Sequence, residues 1–197
     1  MERAVYKVLR HRKLVAGAAC HEPDEVRKVA VDSAAVEVMT DLRRVSAATI
    51  GPQATVAQAN QAMIARGVRL LLVTAPDGEV LGLITARDTM GEKPIKMLQQ
   101  NGGRHGDLLV KDLMVSRTDM DVIEYADVLR AEVGHVIATL KDFGRQHALV
   151  VDKDPLTGDE AIRGIFSATQ VGRQLGVSLQ TFEVAHTFAE IEAALAA

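Results

Sequence analysis

The stretch TVAQANQAMIARGVRLLLV (residues 55–73) reads over EVGHVIATLKDFGRQHALV (residues 132–150) without a gap. Val56 falls on Val133, Met63 on Leu140 and Gly67 on Gly144. An internal repeat constrains a chain strongly, because both copies must fold the same way and bury the same faces. Upstream, Met39 in VEVMTD answers Met114 in VKDLMVS. Downstream, PDGEVLG becomes DPLTGDEAIRG, a loop insertion of the kind surfaces tolerate, and the copies rejoin at Gly82 and Gly164. The expected organisation is an N-terminal extension (1–33), a first unit (34–92), a linker (93–109), a second unit (110–177) and a C-terminal helical tail (178–197).

Within each copy the periodicity changes from helical to extended. Thr55 and Gln58 form a capping-box pattern before a stripe of Val56, Ala59 and Met63, and Gly67 closes the helix. Val133, Val136, Ile137 and Leu140 make the matching stripe, ending at Gly144. LLLV (70–73) and ALVV (148–151) read as short strands buried on both faces, each followed by a glycine-containing turn and a second strand, VLGLI or IRGIF. A third strand is expected at ATI (48–50) and, in the second copy, around DVL (127–129). The N-terminal segment is expected to pack on the pair.

The second strands run into GLITARD (82–88) and GIFSATQ (164–170). As structure, Thr85 with Asp88 and Ser167 with Gln170 are capping boxes. As function, a helix N-terminus offers backbone N–H groups to a phosphate, Thr85 adds a hydroxyl, Arg87 a charge, and the Asp88 carboxylate can accept both hydroxyls of a ribose. Gln170 keeps the cap but carries no negative charge, and Thr169 stands where the first copy has Arg87.

The order VEVMTD, extended stretch, TVAQANQAMIARG, RLLLV, PDG and LGLITARDTM resembles a CBS domain, the module named for cystathionine beta-synthase. The second copy, from VKDLMVS to RGIFSATQVGRQLG, resembles its tandem partner, so residues 34–177 resemble a CBS pair. The resemblance implies an α/β (α+β) fold of two pseudo-twofold units, each β-α-β-β-α, packed sheet to sheet with clefts between them. It implies a regulatory, energy-sensing kind of role in which an adenosine compound (AMP, ADP, ATP or S-adenosylmethionine) binds a cleft and a partner protein reads the change; no catalysis and no required cofactor are expected. Carried over by position, it points to Thr85, Arg87 and Asp88 with Ile50, Arg69 and Leu70 in the first copy. The second copy offers Ser167 and Gln170, with Gln146 and His147 in place of Arg69 and Leu70. A homodimer through CBS faces is the default assembly. A CBS-fold interaction module without a physiological ligand, in which TARD and SATQ only cap helices, remains the alternative.

Other chemistry is sparse. The six histidines include no pair at metal-ligand spacing, and Cys20 beside His21 reads as a surface loop. DKDPLTGDE (152–160) lacks the glycine and terminal glutamate of a calcium loop and reads as a solvated hairpin, while NGGRHG (101–106) reads as a helix stop and linker. A net charge of −3 gives no footprint for nucleic acid, and the cluster Lys7, Arg10, Arg12 and Lys13 reads as a solvated edge. A lone cysteine, with no apolar run long enough to span a bilayer, leads to the expectation of a cytoplasmic protein without membrane contact. Thr187 and Glu190 would cap a final helix with Phe188, Ile191 and Leu195 on one stripe.

Overall fold

A computed structural model describes residues 9–20 and 28–177; the expected C-terminal helix, Lys7 and His21 lie outside them. The chain enters through a single 3-10 turn, Ala35–Val38, into β1 (Thr40–Asp41) and then β2 (Thr49–Ile50). There follow α1 (Val56–Arg66), β3 (Leu70–Thr74), β4 (Val80–Thr85) and α2 (Ala86–Met90). The connection carries α3 (Glu92–Asn101), stopped by Gly102 and Gly103, both at positive φ. The second half repeats the plan with α4 (Val110–Leu113), β5 (Val115–Ser116), β6 (Val122–Glu124), α5 (Tyr125–Val128), α6 (Val133–Asp142), β7 (His147–Lys153), β8 (Glu160–Ser167) and α7 (Ala168–Gln174).

Local sequence accounts for the elements. Thr55 accepts from the Gln58 N–H while the Gln58 side chain accepts from the Thr55 N–H, so α1 begins on a complete capping box. Gly67 takes the left-handed conformation (φ +62°) that ends it, and Gly144 does the same after α6 (φ +60°). β2 pairs parallel with β3 as β6 does with β7, and β3–β4 and β7–β8 are antiparallel with a register shift at equivalent places, Val73/Thr74 and Val150/Val151. The third strand of the second copy is β6, not 127–129. That segment lies in the turn of α5 and after it, where Val128 is buried in the second core, while the exposed Val122 and Glu124 flank Ile123 on the strand.

The two units exchange their opening segments. The sheets are ordered β1-β8-β7-β6 and β2-β3-β4-β5, so β1 closes the second unit's sheet and β5 closes the first unit's. The flanking turns follow them: Ala35 and Val38 lie in the core with Val133, Leu140 and Phe166, while Val110 and Leu113 lie with Val56, Met63 and Ile84. Full burial stabilises each large apolar side chain by about 1.5–3 kcal/mol, so each core draws several kcal/mol from the other half of the chain. Alternate strand residues face the opposite way, where Leu70, Leu72 and Leu83 meet Leu149, Ile162 and Ile165 between the two sheets.

Two repeated residue pairs make the exchange possible, and they cross. A Cβ on Gly82 would lie 2.2 Å from the Val115 carbonyl oxygen and 3.4 Å from the Met114 sulfur. A Cβ on Gly164 would lie 2.5 Å from the Met39 sulfur and 3.0 Å from the Thr40 oxygen. The methionine of each copy therefore covers the glycine of the other. β1 is also held by Arg163, which is 9% exposed, grips both oxygens of Asp41 and stands 4.6 Å over the Tyr125 ring. This hydrogen-bonded guanidinium holds the Asp41 carboxyl below its ordinary range.

Of the N-terminal segment, residues 28–33 pack on the second unit: the Gly134 N–H donates to the Val31 carbonyl and the Val29 N–H to that of Gln174, both at 2.9 Å. Residues 9–20 are exposed.

Because the Val115 oxygen is backbone and Met39 is flexible, the two glycines differ in tolerance. Gly82→Ala is expected to destabilise by about 1–3 kcal/mol, Gly164→Ala by less, and Gly51→Ala, which has open space, by under about 0.5 kcal/mol in urea unfolding. Equal losses at Gly82 and Gly51 would refute the close approach of β5.

Candidate functional site

Where the two sheets meet, the starts of β3 and β7 and the starts of α2 and α7 converge. The Ala86 N–H donates to the Arg69 carbonyl and, in the other unit, the Ala168 N–H donates to that of Gln146, so each strand start is tied to its own helix start. Arg69 then crosses the seam and donates from Nη2 to the Thr169 hydroxyl of the second unit.

Beside this contact opens a cleft of about 530 Å³. One wall is the first unit's Ala48, Val68, Arg69 and Leu70; the facing wall is His147, Ile165, Ser167, Thr169, Gln170 and Arg173. The crossing segment that carries β1 adds Thr40, Leu42, Val45, Ser46 and Ala47. The lining has two guanidinium groups, four hydroxyls and no carboxylate. Burial, and secondly the charge of Arg173, lower the Arg69 pKa from its ordinary value; an arginine nevertheless stays charged at neutral pH. His147 is lowered to about 4, chiefly by burial and next by Arg69, with Asp88 acting in the opposite sense. At neutral pH the cleft is therefore cationic, with an uncharged imidazole in its wall.

Of the residues singled out from sequence, Arg69, Leu70, His147, Ser167 and Gln170 line this cleft, whereas Thr85, Arg87, Asp88, Ile50 and Gln146 do not. The grouping by copy is thus not the grouping in space: Arg69 and Leu70 share the cleft with the second unit's Ser167 and Gln170. Ile50 packs on the first core. Arg87 is exposed on a helix of five residues. Asp88 completes the cap of α2, accepting from the Thr85 N–H at 2.9 Å and the Thr85 hydroxyl at 2.7 Å, and its other oxygen pairs with Lys93 at 3.3 Å. Lys93 also donates to the Leu113 carbonyl, which ties the cap to the exchanged α4.

The second capping box does not form. Ser167 has ψ 122° where Thr85 has 163°, it makes no cap hydrogen bond, and Gln170 reaches along α7 to Gln174 at 3.4 Å instead. The Ser167 side chain is on the cleft wall rather than in a cap. Sequence reasoning missed Arg173 and Thr40: the arginine lies one turn beyond the motif, and the threonine reaches the cleft only through the exchange. Among the described residues no cluster of three or more His, Cys, Asp or Glu could hold a metal ion, and no helix is long and apolar enough to cross a membrane.

A protein-family model for the CBS domain matches residues 35–92. Those residues are similar to a CBS domain. The described residues have the fold of a CBS pair, as their likeness to solved structures shows. A conserved protein from Pyrococcus horikoshii superposes with TM-score 0.54 at 20% identity, over 78% of this chain and 99% of that one. A CBS-domain containing protein from Agrobacterium tumefaciens gives 0.51 at 20% identity, over 70% and 93%. CBSX2, a CBS-pair protein of Arabidopsis thaliana solved in complex with AMP, gives 0.51 at 20% identity, over 72% and 94%. At such identity the likeness is one of fold. A search of curated protein sequences gave no match.

The seam of the CBS pair should report its own acidity. The folded-state pKa of His147 lies below the ordinary imidazole value of 6.5, so on acidification the unfolded chain takes up a proton that the folded chain refuses until about pH 4. Stability is expected to fall between those values by up to about 1.4 kcal/mol per pH unit, and His147→Gln should flatten the slope. Melting curves at pH 7, 6 and 5 check this; identical slopes in both proteins would contradict the half-buried neutral imidazole. The Asp41 contribution is separable, since a depressed carboxyl is lost only as pH falls below its ordinary value of 3.8.

Proposed function

We propose that this CBS pair is a ligand-sensing regulatory module that binds an adenosine-containing nucleotide in the cleft between its units and signals to a partner protein by a change in their packing. The observation that carries the reading is the cleft's composition across the seam. Val68, Leu70 and Ala48 offer an apolar wall for a base, and Arg69 and Arg173 offer charge for phosphate. CBSX2, which shares the fold, is known bound to AMP. Because one wall belongs to each unit and the Arg69–Thr169 contact bridges them, a ligand that engages Arg69 has differential contacts with open and closed packings, the requirement for any population shift. The reading assigns no catalytic step to the chain, places it in the cytoplasm and takes a homodimer as its assembly.

One observation favours a second reading, a CBS-fold interaction module without a physiological ligand. Asp88, the sequence candidate for a ribose ligand, already has its two oxygens engaged by Thr85 and Lys93.

A thermal-shift series with AMP, ADP, ATP, S-adenosylmethionine and NAD separates the two. At about 100 times the dissociation constant a bound ligand adds roughly 2.7 kcal/mol, a rise of several degrees. No rise with any of them would leave the interaction module. Asp88→Asn is expected to lower stability by up to about 1 kcal/mol through the cap and the Lys93 pair, with nucleotide affinity unchanged in calorimetry; a large loss of affinity would place Asp88 in the site after all.

A further inference from the structure

Resting on the nucleotide-sensing reading, we infer that the cleft selects its ligand by phosphate charge and not by the ribose: affinity rises from AMP to ATP, 2′-deoxyribose is accepted as readily as ribose, and S-adenosylmethionine is refused. The side chains of the two walls set this preference. Two vicinal ribose hydroxyls are best held by a carboxylate, which accepts from both with charge-assisted bonds. No lining residue carries one, and at Gln170, the position equivalent to Asp88, a neutral amide leans toward Gln174. The sugar therefore meets an amide and hydroxyls, which discriminate weakly.

Phosphates meet the opposite situation. Arg69 is partly buried and Arg173 is exposed on α7, so the cleft holds one positive charge in its wall and one toward solvent with no acidic side chain between them. The two guanidinium groups are close enough to depress one of them, and an anion lodged between them relieves that repulsion. Each added phosphate charge is drawn by the field of the same two cations. The sulfonium and ammonium groups of S-adenosylmethionine leave that ligand with one net positive charge, and nothing in the lining compensates it.

Calorimetric titration of the full chain tests this at low and moderate salt. ATP is expected to bind at least about tenfold tighter than AMP, with the difference shrinking as salt rises. dATP should bind within about twofold of ATP, and adenosine and S-adenosylmethionine should give no heat at concentrations where ATP saturates. Arg173→Gln, a change at an exposed side chain, should bring the ATP-to-AMP ratio below about threefold, and Gln170→Asp should create a preference for ATP over dATP of about tenfold. Melting curves establish that both variants are folded, and the dATP comparison on the unaltered chain needs neither. S-adenosylmethionine or adenosine binding as tightly as ATP, or a tenfold preference for ATP over dATP in the unaltered chain, would overturn selection by charge and leave nucleotide sensing standing. Absence of binding by every nucleotide would overturn both.

Discussion

The close approach of an exchanged strand to a glycine is the constraint from which the rest of the molecule follows. β5 can pair with β4 only because Gly82 has no side chain to meet the Val115 carbonyl, and β1 reaches β8 beside Gly164. Each crossing brings a methionine over the glycine and a short helical turn into the opposite core. Thioether side chains suit this place, since they are unbranched and fill irregular gaps. The Asp41–Arg163 pair then fixes β1 at the sheet edge by charge, with Tyr125 on the guanidinium's face.

The cleft is a by-product of the same crossing. To leave the second sheet and enter the first, the chain between β1 and β2 must run over the seam, and Thr40, Leu42 and Val45 to Ala48 wall the cleft on the way. Sheet-to-sheet packing through Leu72, Leu83 and Leu149 fixes the depth of the seam, and the strand starts bring Arg69 and His147 to its rim. Geometry that serves the core thus also sets which polar groups face one another.

Much of the fold was legible in the sequence because its signals are local. Thr55, Gln58 and Gly67 specify the ends of α1 within a dozen residues, and the apolar runs at 70–73 and 148–151 can only be strands buried on both faces. The Met39/Met114 and Gly82/Gly164 pairs were visible as repeats, but nothing local tells that each methionine covers the other copy's glycine. The strand at 122–124 was missed because three residues with exposed ends carry almost no periodicity. Of the cleft lining, Arg69, Leu70, His147, Ser167 and Gln170 were named by position and Thr85, Arg87 and Asp88 lie elsewhere, whereas the combination across units and the presence of Arg173 depend on contacts between distant segments. Ser167 with Gln170 satisfies the cap pattern in letters, yet a rotation of about 40° in one ψ angle sends the Ser167 side chain elsewhere.

The exchange also has a temporal consequence. Asp41 waits for Arg163, a partner 122 residues later in the chain, and the first core stays open until Val110 and Leu113 have been made. Pairings so distant in sequence are slow to close, because loop-closure entropy must be met before the contacts reward it. The first half cannot finish as a nascent domain while the second is still in the ribosome, so the two repeats, each with a recognisable unit's sequence, complete their cores together.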